Sequence, residues 1–252
     1  MRSRSHGHGH RRTSSSPESR AERKQRTREA LLDGALRLLE DRAFGSLSLR
    51  EVTREGGIVP AGFYRHFEDM DDLGLALVDD SFRRLRQLLR RARENQDNPK
   101  DLIRSSLAIL VRNVHEHPLH LRFIARERNS GVPALRRAIR SEIRLLSSEL
   151  ATDLARCPHL RDWSSQDLQM LAALMVGTMV ATVEALLDAP PDDPLAEQEI
   201  VTTAEAQLRL ILLAIPLWHS DTGTQPAAPA ADGAGLEEER ALATPRGDRA
   251  AR

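Results

Sequence analysis

The sequence predicts an all-α protein of about nine helices, and three observations support this fold class. Leucine and alanine carry most of the apolar content while aromatic residues make up only 3%, and both leucine and alanine favour helix. Apolar residues recur at helical spacing, as at Leu31, Ala35, Leu38 and Leu39. No stretch shows the sustained alternation of apolar and polar residues that indicates a half-buried strand.

Signals for helix ends place the first four predicted helices. Ser48 and Glu51 have the spacing of a capping box, and a Gly-Gly pair stops the short helix that follows. Pro60 suits the first turn of the next helix, where its missing N–H is not needed. Asp69, with Asp72 three residues later, caps the fourth helix. The predicted ranges are about 22–41, 48–55, 59–67 and 70–94.

Proline marks the start of most of the later predicted helices. It follows an Asx residue at Asn98-Pro99 and at Asp193-Pro194, and two more prolines begin helices within the middle of the chain. Ser164 with Asp167 caps the most apolar helix. The predicted ranges are about 99–116, 118–128, 133–156, 165–188 and 194–218.

Length and composition restrict the class of protein. The 252 residues suffice for one or two domains with a real core. The longest apolar run, 170–187, contains Glu184, so we expect no membrane span, and the first residues lack the apolar segment of a secretory signal. Cys157 is the only cysteine, which excludes an internal disulfide. We therefore expect a cytoplasmic protein.

The two ends of the chain differ from its helical middle. Lys and Arg number nine up to Arg28 against two acids, and such a basic arm commonly meets nucleic acid, although a solvated tail has the same composition. Residues 1–20 are predicted to be a disordered basic arm. Among residues 220–252, 16 of 33 are Ala, Gly or Pro, which predicts a disordered C-terminal tail.

The stretch from residue 48 to residue 67 has the spacing of a helix-turn-helix, whose second helix enters the DNA major groove. Small residues at the start of that helix permit close approach to base edges, while Tyr64 and His66 offer an O–H and an N–H at the height of the phosphates. An ordinary helical hairpin is the other interpretation. The predicted DNA-binding residues are Ser48, Arg50, Val59, Pro60, Ala61, Gly62, Tyr64, Arg65 and His66.

The segment "LSLREVTREGGIVPAGFYRHFEDMDDL" resembles the DNA-binding signature of the TetR family of transcriptional repressors. That signature has a Thr/Ser-capped helix, an Ala-Gly-Val turn and a Tyr-x-His-Phe end, which implies that Tyr64 and His66 contact phosphate. Gly56 replaces the usual Ala, and Val59 replaces a common Ser cap. Met70 stands where many members have a phosphate-binding Lys, beside an acidic run. The resemblance therefore implies fewer phosphate contacts here and more dependence on the N-terminal arm.

A sharper resemblance covers roughly residues 22–217. The segments "SLSLREVTREGGIVPAGFYRHFEDMDDLGLALVDD" and "HPLHLRFIARERNSG" look like the fatty-acid-responsive repressors of the FabR and DesT type. This resemblance implies a homodimer that represses unsaturated-fatty-acid genes at a near-palindromic operator and senses a long-chain acyl thioester, either acyl-CoA or acyl carrier protein. It implies no cofactor. A helix-turn-helix domain at 21–68 and a ligand-binding and dimerisation domain at 69–219 are expected.

A ligand domain is also expected because about 150 residues follow the helix-turn-helix, and ligand sites in helical proteins lie between helices in mostly apolar cavities. The fourth helix is expected to carry the effect of a ligand to the DNA head. Ordinary core is the other interpretation of each candidate. The predicted ligand-binding residues are Leu107, Leu110, Val111, Val114, Phe123, Ile124, Arg126, Met175 and Met179.

The last two helices are predicted to form the dimer surface. The helix over 165–188 is apolar around nearly its whole circumference, as expected for a helix buried on two sides, and two such helices from each protomer would form a four-helix bundle. The predicted interface residues are Ala173, Gly177, Ala181, Leu208 and Ile211.

Other chemistry finds little support in the sequence. His115, His117 and His120 are closely spaced, but Pro118 interrupts the helix that would orient them, so no metal site is expected. No paired carboxylates, Ser-His-Asp set or P-loop is present, and we expect no enzyme. Two alternatives remain open. One is a TetR-type repressor of efflux or degradation genes that responds to an unrelated apolar molecule, and the other is an acyl-binding carrier or adaptor without DNA binding.

Overall fold

The computed structural model describes residues 19–93, 99–129, 131–190 and 193–220. Nearly all of the predicted basic arm and of the predicted C-terminal tail lies outside these residues. Within them the chain forms helices and no strand, so the predicted all-α class is confirmed. The nine α-helices are α1 Arg20–Leu38, α2 Leu49–Glu55, α3 Pro60–Phe63, α4 Met70–Arg93, α5 Pro99–Glu116, α6 Pro118–Glu127, α7 Pro133–Leu154, α8 Ser165–Asp188 and α9 Pro194–Ala214.

Local capping determines where most of these helices begin. The capping box at Ser48 and the N-cap at Ser164 form as expected, and the carboxylate of Asp193 accepts from the first N–H groups of α9. Proline occupies the first turn of α3, α6, α7 and α9. Helix α1 begins two residues earlier than predicted because Ser19 and Glu22 form a second capping box.

One hydrophobic core joins the helix-turn-helix to the rest of the protein. Phe63, Phe82 and Phe123, from α3, α4 and α6, are all almost fully buried in it. The ring of Phe123 lies 6.5 Å from that of Phe44, in the 3-10 turn Phe44–Ser46 before α2. The domain boundary predicted between residues 68 and 69 remains a prediction, and no break in packing accompanies it. Three smaller clusters pack α7 against α8, α5 against α9, and α5 and α6 against the end of α8.

Two segments are long and apolar enough to cross a membrane by length and composition alone. They are Ser165–Asp188, with mean hydropathy 2.0, and Pro194–Leu217, with mean hydropathy 1.5. Helices of water-soluble bundles meet the same criterion, so this is weak support for a membrane span. Here α8 packs against α7 and α9, and its Glu184 lies 3.2 Å from Arg128. Only 22% and 11% of the two apolar windows are buried, which leaves a large apolar surface open.

Candidate nucleic-acid interface and effector cavity

The turn between α2 and α3 depends on Gly57. Its φ of +67° lies in the left-handed region, which side chains with a Cβ rarely adopt. The backbone N–H of Ile58 donates to the carbonyl of Thr53 at 2.8 Å and closes the turn. Gly56 is explained by packing, because a Cβ there would lie 2.9 Å from the carbonyl oxygen of Ala30. The departure from the Ala of the family signature therefore allows α1 and α2 to approach closely.

Helix α3 is shorter than predicted. The sequence suggested helix to Phe67, whereas α3 ends at Phe63 and residues 64–66 form a turn. Beyond Phe63 the N–H groups of Arg65 and His66 donate to carbonyls three residues earlier. Phe63 and Phe67 are both buried, with ring centroids 5.5 Å apart. This packing draws the chain towards the core and shortens the regular helix.

The outward face of α3 has the character of a contact surface. Val59 and Tyr64 are 70% and 65% exposed, and Pro60, Ala61 and Arg65 are exposed beside them. Gly62 differs, because a Cβ there would lie 2.8 Å from Cγ2 of Ile58. The absence of a Cβ at Gly62 is therefore required by packing within the motif, and its predicted role in close approach to a base remains a prediction.

Positive charge on this domain falls into two groups. Arg37 and Arg42 are neutralised, with nitrogens 2.7 and 2.8 Å from carboxylate oxygens of Glu55 and Glu51. A second group has no acidic partner among the described residues, which leaves its charge available to an anion. This group comprises Lys24, Arg28, Arg50, Arg54 and Arg65.

His66 is half-buried beside three of these cations. Its Nδ1 is buried and has no hydrogen-bond partner in the described part of the protein. Burial, followed by the charges of Lys24, Arg28 and Arg65, lowers the pKa of His66. The guanidinium of Arg28 also lies 5.2 Å from the centre of the Phe67 ring. The early turns of α1 therefore lie against the end of the α3 region.

Met70, at the start of α4, stands where the family signature has a lysine. Met70 is half-buried and packs against the main core. The carboxylates around it cap the helix, since Asp72 accepts from the N–H of Glu68 at 3.0 Å and Asp69 from that of Asp72 at 2.8 Å. This helix start is acidic, so it is a poor phosphate contact.

The C-terminal end of α6 holds the connection between α1 and α2. The guanidinium of Arg126 donates to the carbonyls of Leu39, Glu40 and Arg42 at 2.8–3.2 Å. The next residue, Glu127, is fully buried and accepts from the N–H of Phe44 at 2.8 Å. We call these two residues the α6 clamp. The predicted role of Arg126 as a ligand contact is not supported by this geometry, because both terminal nitrogens of its guanidinium donate to backbone carbonyls.

The clamp is connected to the helix-turn-helix through the ion pair between Arg42 and Glu51. Arg42 donates to the carbonyl of Ser46 at 2.7 Å and to Glu51, the third residue of α2. Hydrogen bonds from Arg42 and then from Ser48 lower the pKa of Glu51 to about 2, so this carboxylate stays charged. Sequence reasoning missed this route, although an acid at position 127, four residues after the apolar Phe123 and so on the same helix face, was a signal of a buried carboxylate.

A cavity of about 650 Å³ lies where α5 ends, α6 begins, α8 ends and α9 begins. Nε2 of His115 lies 2.8 Å from a carboxylate oxygen of Glu197 across it. Apolar side chains from α5 and α8 form one wall and Arg122 adds a cation. The lining residues are Val111, Val114, His115, Pro118, Arg122, Leu186, Leu187, Ala189, Pro190, Asp193, Pro194 and Glu197.

Most of the predicted ligand-binding residues do not line this cavity. Val111 and Val114 do. Phe123 and Ile124 pack in the core shared with the DNA head. The others, Leu107, Leu110, Met175 and Met179, are buried or half-buried around α5 and α8, and three of them pack in the cluster between α5 and α9. Helical periodicity predicts that these side chains face inward. It does not predict which other helices they contact, because that depends on the tertiary packing.

Some of the predicted dimer-interface residues are exposed, and others pack inside the protomer. Ala173, Gly177 and Ala181 form an exposed small-residue stripe on α8. Leu208 is only 2% exposed and Ile211 is half-buried, and both pack inside the protomer against α5 and α8. On α9 the outward residues are different ones. The exposed apolar face comprises Met170, Ala173, Leu174, Gly177 and Ala181 of α8 with Leu210 and Leu213 of α9 and Leu217 of the 3-10 turn Ile215–Leu217 that follows.

The three closely spaced histidines make different contacts. His115 faces Glu197, whereas Nδ1 of His120 lies 2.9 Å from the hydroxyl oxygen of Ser81 on α4. The hydroxyl of Ser81 donates to the carbonyl of Leu77 at 2.7 Å, so its oxygen accepts from His120. In the described part of the chain, no group of three potential ligands could hold a metal ion.

His120 makes the stability of the protein depend on pH. Burial, then the charge of Arg84, lowers its pKa in the folded protein. The folded state thus binds fewer protons than the unfolded state, and stability falls as the pH falls below about 6.5, the unfolded value. Urea unfolding at pH 8 and pH 5.5 should show a smaller loss for His120→Asn, whose amide can still donate to Ser81. An equal loss in both proteins would contradict this assignment.

Comparison with known proteins places these features in a family context. Residues 31–77 match the family model described as bacterial regulatory proteins, tetR family. A TetR-family transcriptional regulator from Streptomyces coelicolor superposes with a TM-score of 0.57 at 21% identity, over 74% of this chain and 96% of that one. The matched segment comprises the second half of α1, all of α2 and α3, and the start of α4, so the helix-turn-helix carries the family signature.

Two further solved structures have names that mention acyl chemistry. AibR, in complex with isovaleryl coenzyme A and operator DNA, has a TM-score of 0.56 at 18% identity, over 72% of this chain and 97% of that one. The fatty acid degradation regulator FadR from Bacillus halodurans has a TM-score of 0.60 at 11% identity, over 74% and 94%. At these identities the likeness concerns the fold, which is the TetR-like all-α fold with an N-terminal helix-turn-helix.

Proposed function

We propose that this protein, a DNA-binding transcriptional regulator with the TetR-like fold, is a cytoplasmic dimeric repressor of unsaturated-fatty-acid biosynthesis or desaturation genes that responds to a long-chain acyl thioester. The observation that carries the DNA-binding part is the outward face of α3. It presents Pro60, Ala61 and Tyr64 to solvent beside cations that lack acidic partners. Small side chains suit contact with base edges, and the surrounding cations suit the phosphates.

Two recognition surfaces require two protomers. Only 22% and 11% of the apolar windows of α8 and α9 are buried within the protomer, and large exposed apolar patches mark interaction surfaces. The small residues of this face permit close approach of a second copy. Packing two copies of this face about a two-fold axis forms a four-helix bundle. The recognition regions would then lie about 34–36 Å apart and bind a near-palindromic operator.

The cavity supports an acyl effector. Val111, Val114, Leu186 and Leu187 would pack against the hydrocarbon chain, and Arg122 would pair with phosphate of the thioester carrier. AibR was solved with an acyl-coenzyme A and FadR is named for fatty acid degradation, which is compatible with this ligand class. A regulator that responds to another apolar molecule is the second candidate, because the cavity wall does not by itself require an acyl chain.

Helix α6 offers a route from the cavity to DNA. Its first turn, at Pro118 and Arg122, borders the cavity, and its last turn bears the α6 clamp. The helix is ten residues long, or about 15 Å. A ligand that displaces α6 would move the connection between α1 and α2, and the operator affinity would change by the difference in ligand affinity between the two states.

Fluorescence anisotropy with a duplex selected by the protein from a random library tests this function. We expect nanomolar, sequence-dependent binding that Tyr64→Ala weakens and that saturated and monounsaturated acyl-CoA shift differently. Arg122→Ala should reduce the acyl-CoA effect, whereas Arg137→Ala, an exposed change on α7, should not. Tight binding that neither thioester alters would leave the second candidate. Absence of specific duplex binding would favour the carrier or adaptor.

A further inference from the structure

The first three turns of α1 lie outside the family match. The matched segment begins at residue 31, whereas α1 begins at Arg20 behind the Ser19–Glu22 capping box. This extension is ordered by its own cap and carries several basic residues. Arg20, Lys24 and Arg28 recur every four residues and so share one face of the helix.

This basic face lies beside the recognition region. Lys24 and Arg28 are close enough to His66 for their charges to affect it, and the guanidinium of Arg28 rests near the Phe67 ring. Lys24 is exposed, and neither residue pairs with an acidic group in the described part of the protein. Several unpaired cations that surround one imidazole repel each other, which favours binding of an anion among them.

We propose that Lys24 and Arg28 form a phosphate-binding surface on α1, which extends the DNA contact beyond the end of the recognition helix. The proposal rests on the proposed function, because it takes α3 to be in the major groove. Four residues of helix span about 6 Å, whereas the phosphates of one strand follow each other about every 3.4 Å along the DNA axis, so the two cations would reach phosphates one or two nucleotides apart. The start of α4 is acidic and its Met70 packs against the main core, so it does not provide a phosphate contact. The α1 surface would provide one in its place.

The dependence of DNA affinity on salt concentration measures this contact. Each phosphate contact contributes about 0.9 to the slope of log K against log salt concentration for B-DNA. A dimer places two copies of this surface on the selected near-palindromic duplex, so Lys24→Gln should lower the magnitude of the slope by about 1.8, and Lys24→Gln with Arg28→Gln by about 3.6. Sequence preference should not change, because phosphates carry no base information.

Two matched variants separate a phosphate contact from a general effect. Arg161→Gln removes one exposed positive charge far along the chain, and its slope should equal that of the native protein. Arg28→Lys keeps the charge and should keep the slope even if the contact with Phe67 is weakened. Thermal unfolding of each variant would identify loss of the fold.

The outcomes distinguish this proposal from the proposed function. If Tyr64→Ala weakens binding while the Lys24 and Arg28 variants keep the native slope, the α1 surface is wrong and the regulator stands. The same conclusion follows if Arg161→Gln lowers the slope as much as Lys24→Gln. If the native protein binds no duplex, the proposed function itself fails.

Discussion

Gly177→Glu is expected to convert the protein into a folded monomer. Position 177 lies at the centre of the exposed apolar stripe of α8, and a Cβ built there meets no atom within 4 Å. The protomer therefore accommodates a side chain, and Gly is a poor helix former in any case. In the dimer, the same substitution would bury an unpaired carboxylate in the interface, which costs free energy of association. Light scattering coupled to size exclusion measures the change of mass.

Loss of the dimer should also reduce operator affinity. A dimer that occupies two half-sites gains from the effective concentration of the second recognition surface, so we expect a monomer to bind at least about 100-fold more weakly. Gly131→Glu is the matched control, because a Cβ at that position also meets nothing within 4 Å. A dimeric Gly177→Glu protein with native affinity would contradict the proposed interface.

Glu127→Ala is expected to destabilise the junction between the DNA head and the rest of the protein. The substitution leaves the N–H of Phe44 buried without an acceptor, at a cost of about 1–3 kcal/mol, and removes packed side-chain volume as well. Glu127→Gln retains an oxygen at the acceptor position and should lose less. Urea unfolding at a fixed protomer concentration measures both, since dimerisation makes stability depend on concentration.

The same pair of variants tests the α6 clamp. Oε2 of Glu127 has no hydrogen-bond partner among the described residues, so only Oε1 contributes the contact to Phe44. If alanine and glutamine destabilise the protein equally, the hydrogen bond to the N–H of Phe44 does not account for the effect. If neither changes the free energy of unfolding, the clamp does not stabilise the junction.

Local signals in the sequence were sufficient for the helices and for the position of the helix-turn-helix. The helix ends in this motif are set by Ser48 with Glu51, by the glycines at 56–57 and by Pro60. Each of these acts within one helical turn, so a short segment of sequence is sufficient to predict them. Tyr64 and Arg65 were predicted as DNA contacts from the helix-turn-helix pattern, and both are exposed; their contact with DNA remains a prediction. The capping box of Ser19 and Glu22 is a signal of the same kind, and the predicted start of α1 at residue 22 did not take it into account.

Only the tertiary structure decided which partner each inward face meets. Helical periodicity identified Leu208 and Phe123 as apolar-face residues, but Leu208 packs in its own protomer and Phe123 joins the core of the DNA head. Arg126 finds its carbonyls 84–87 residues earlier in the chain. A repeat of 3.6 residues specifies a face and not its neighbour, because the neighbour depends on how all the helices fit together in space.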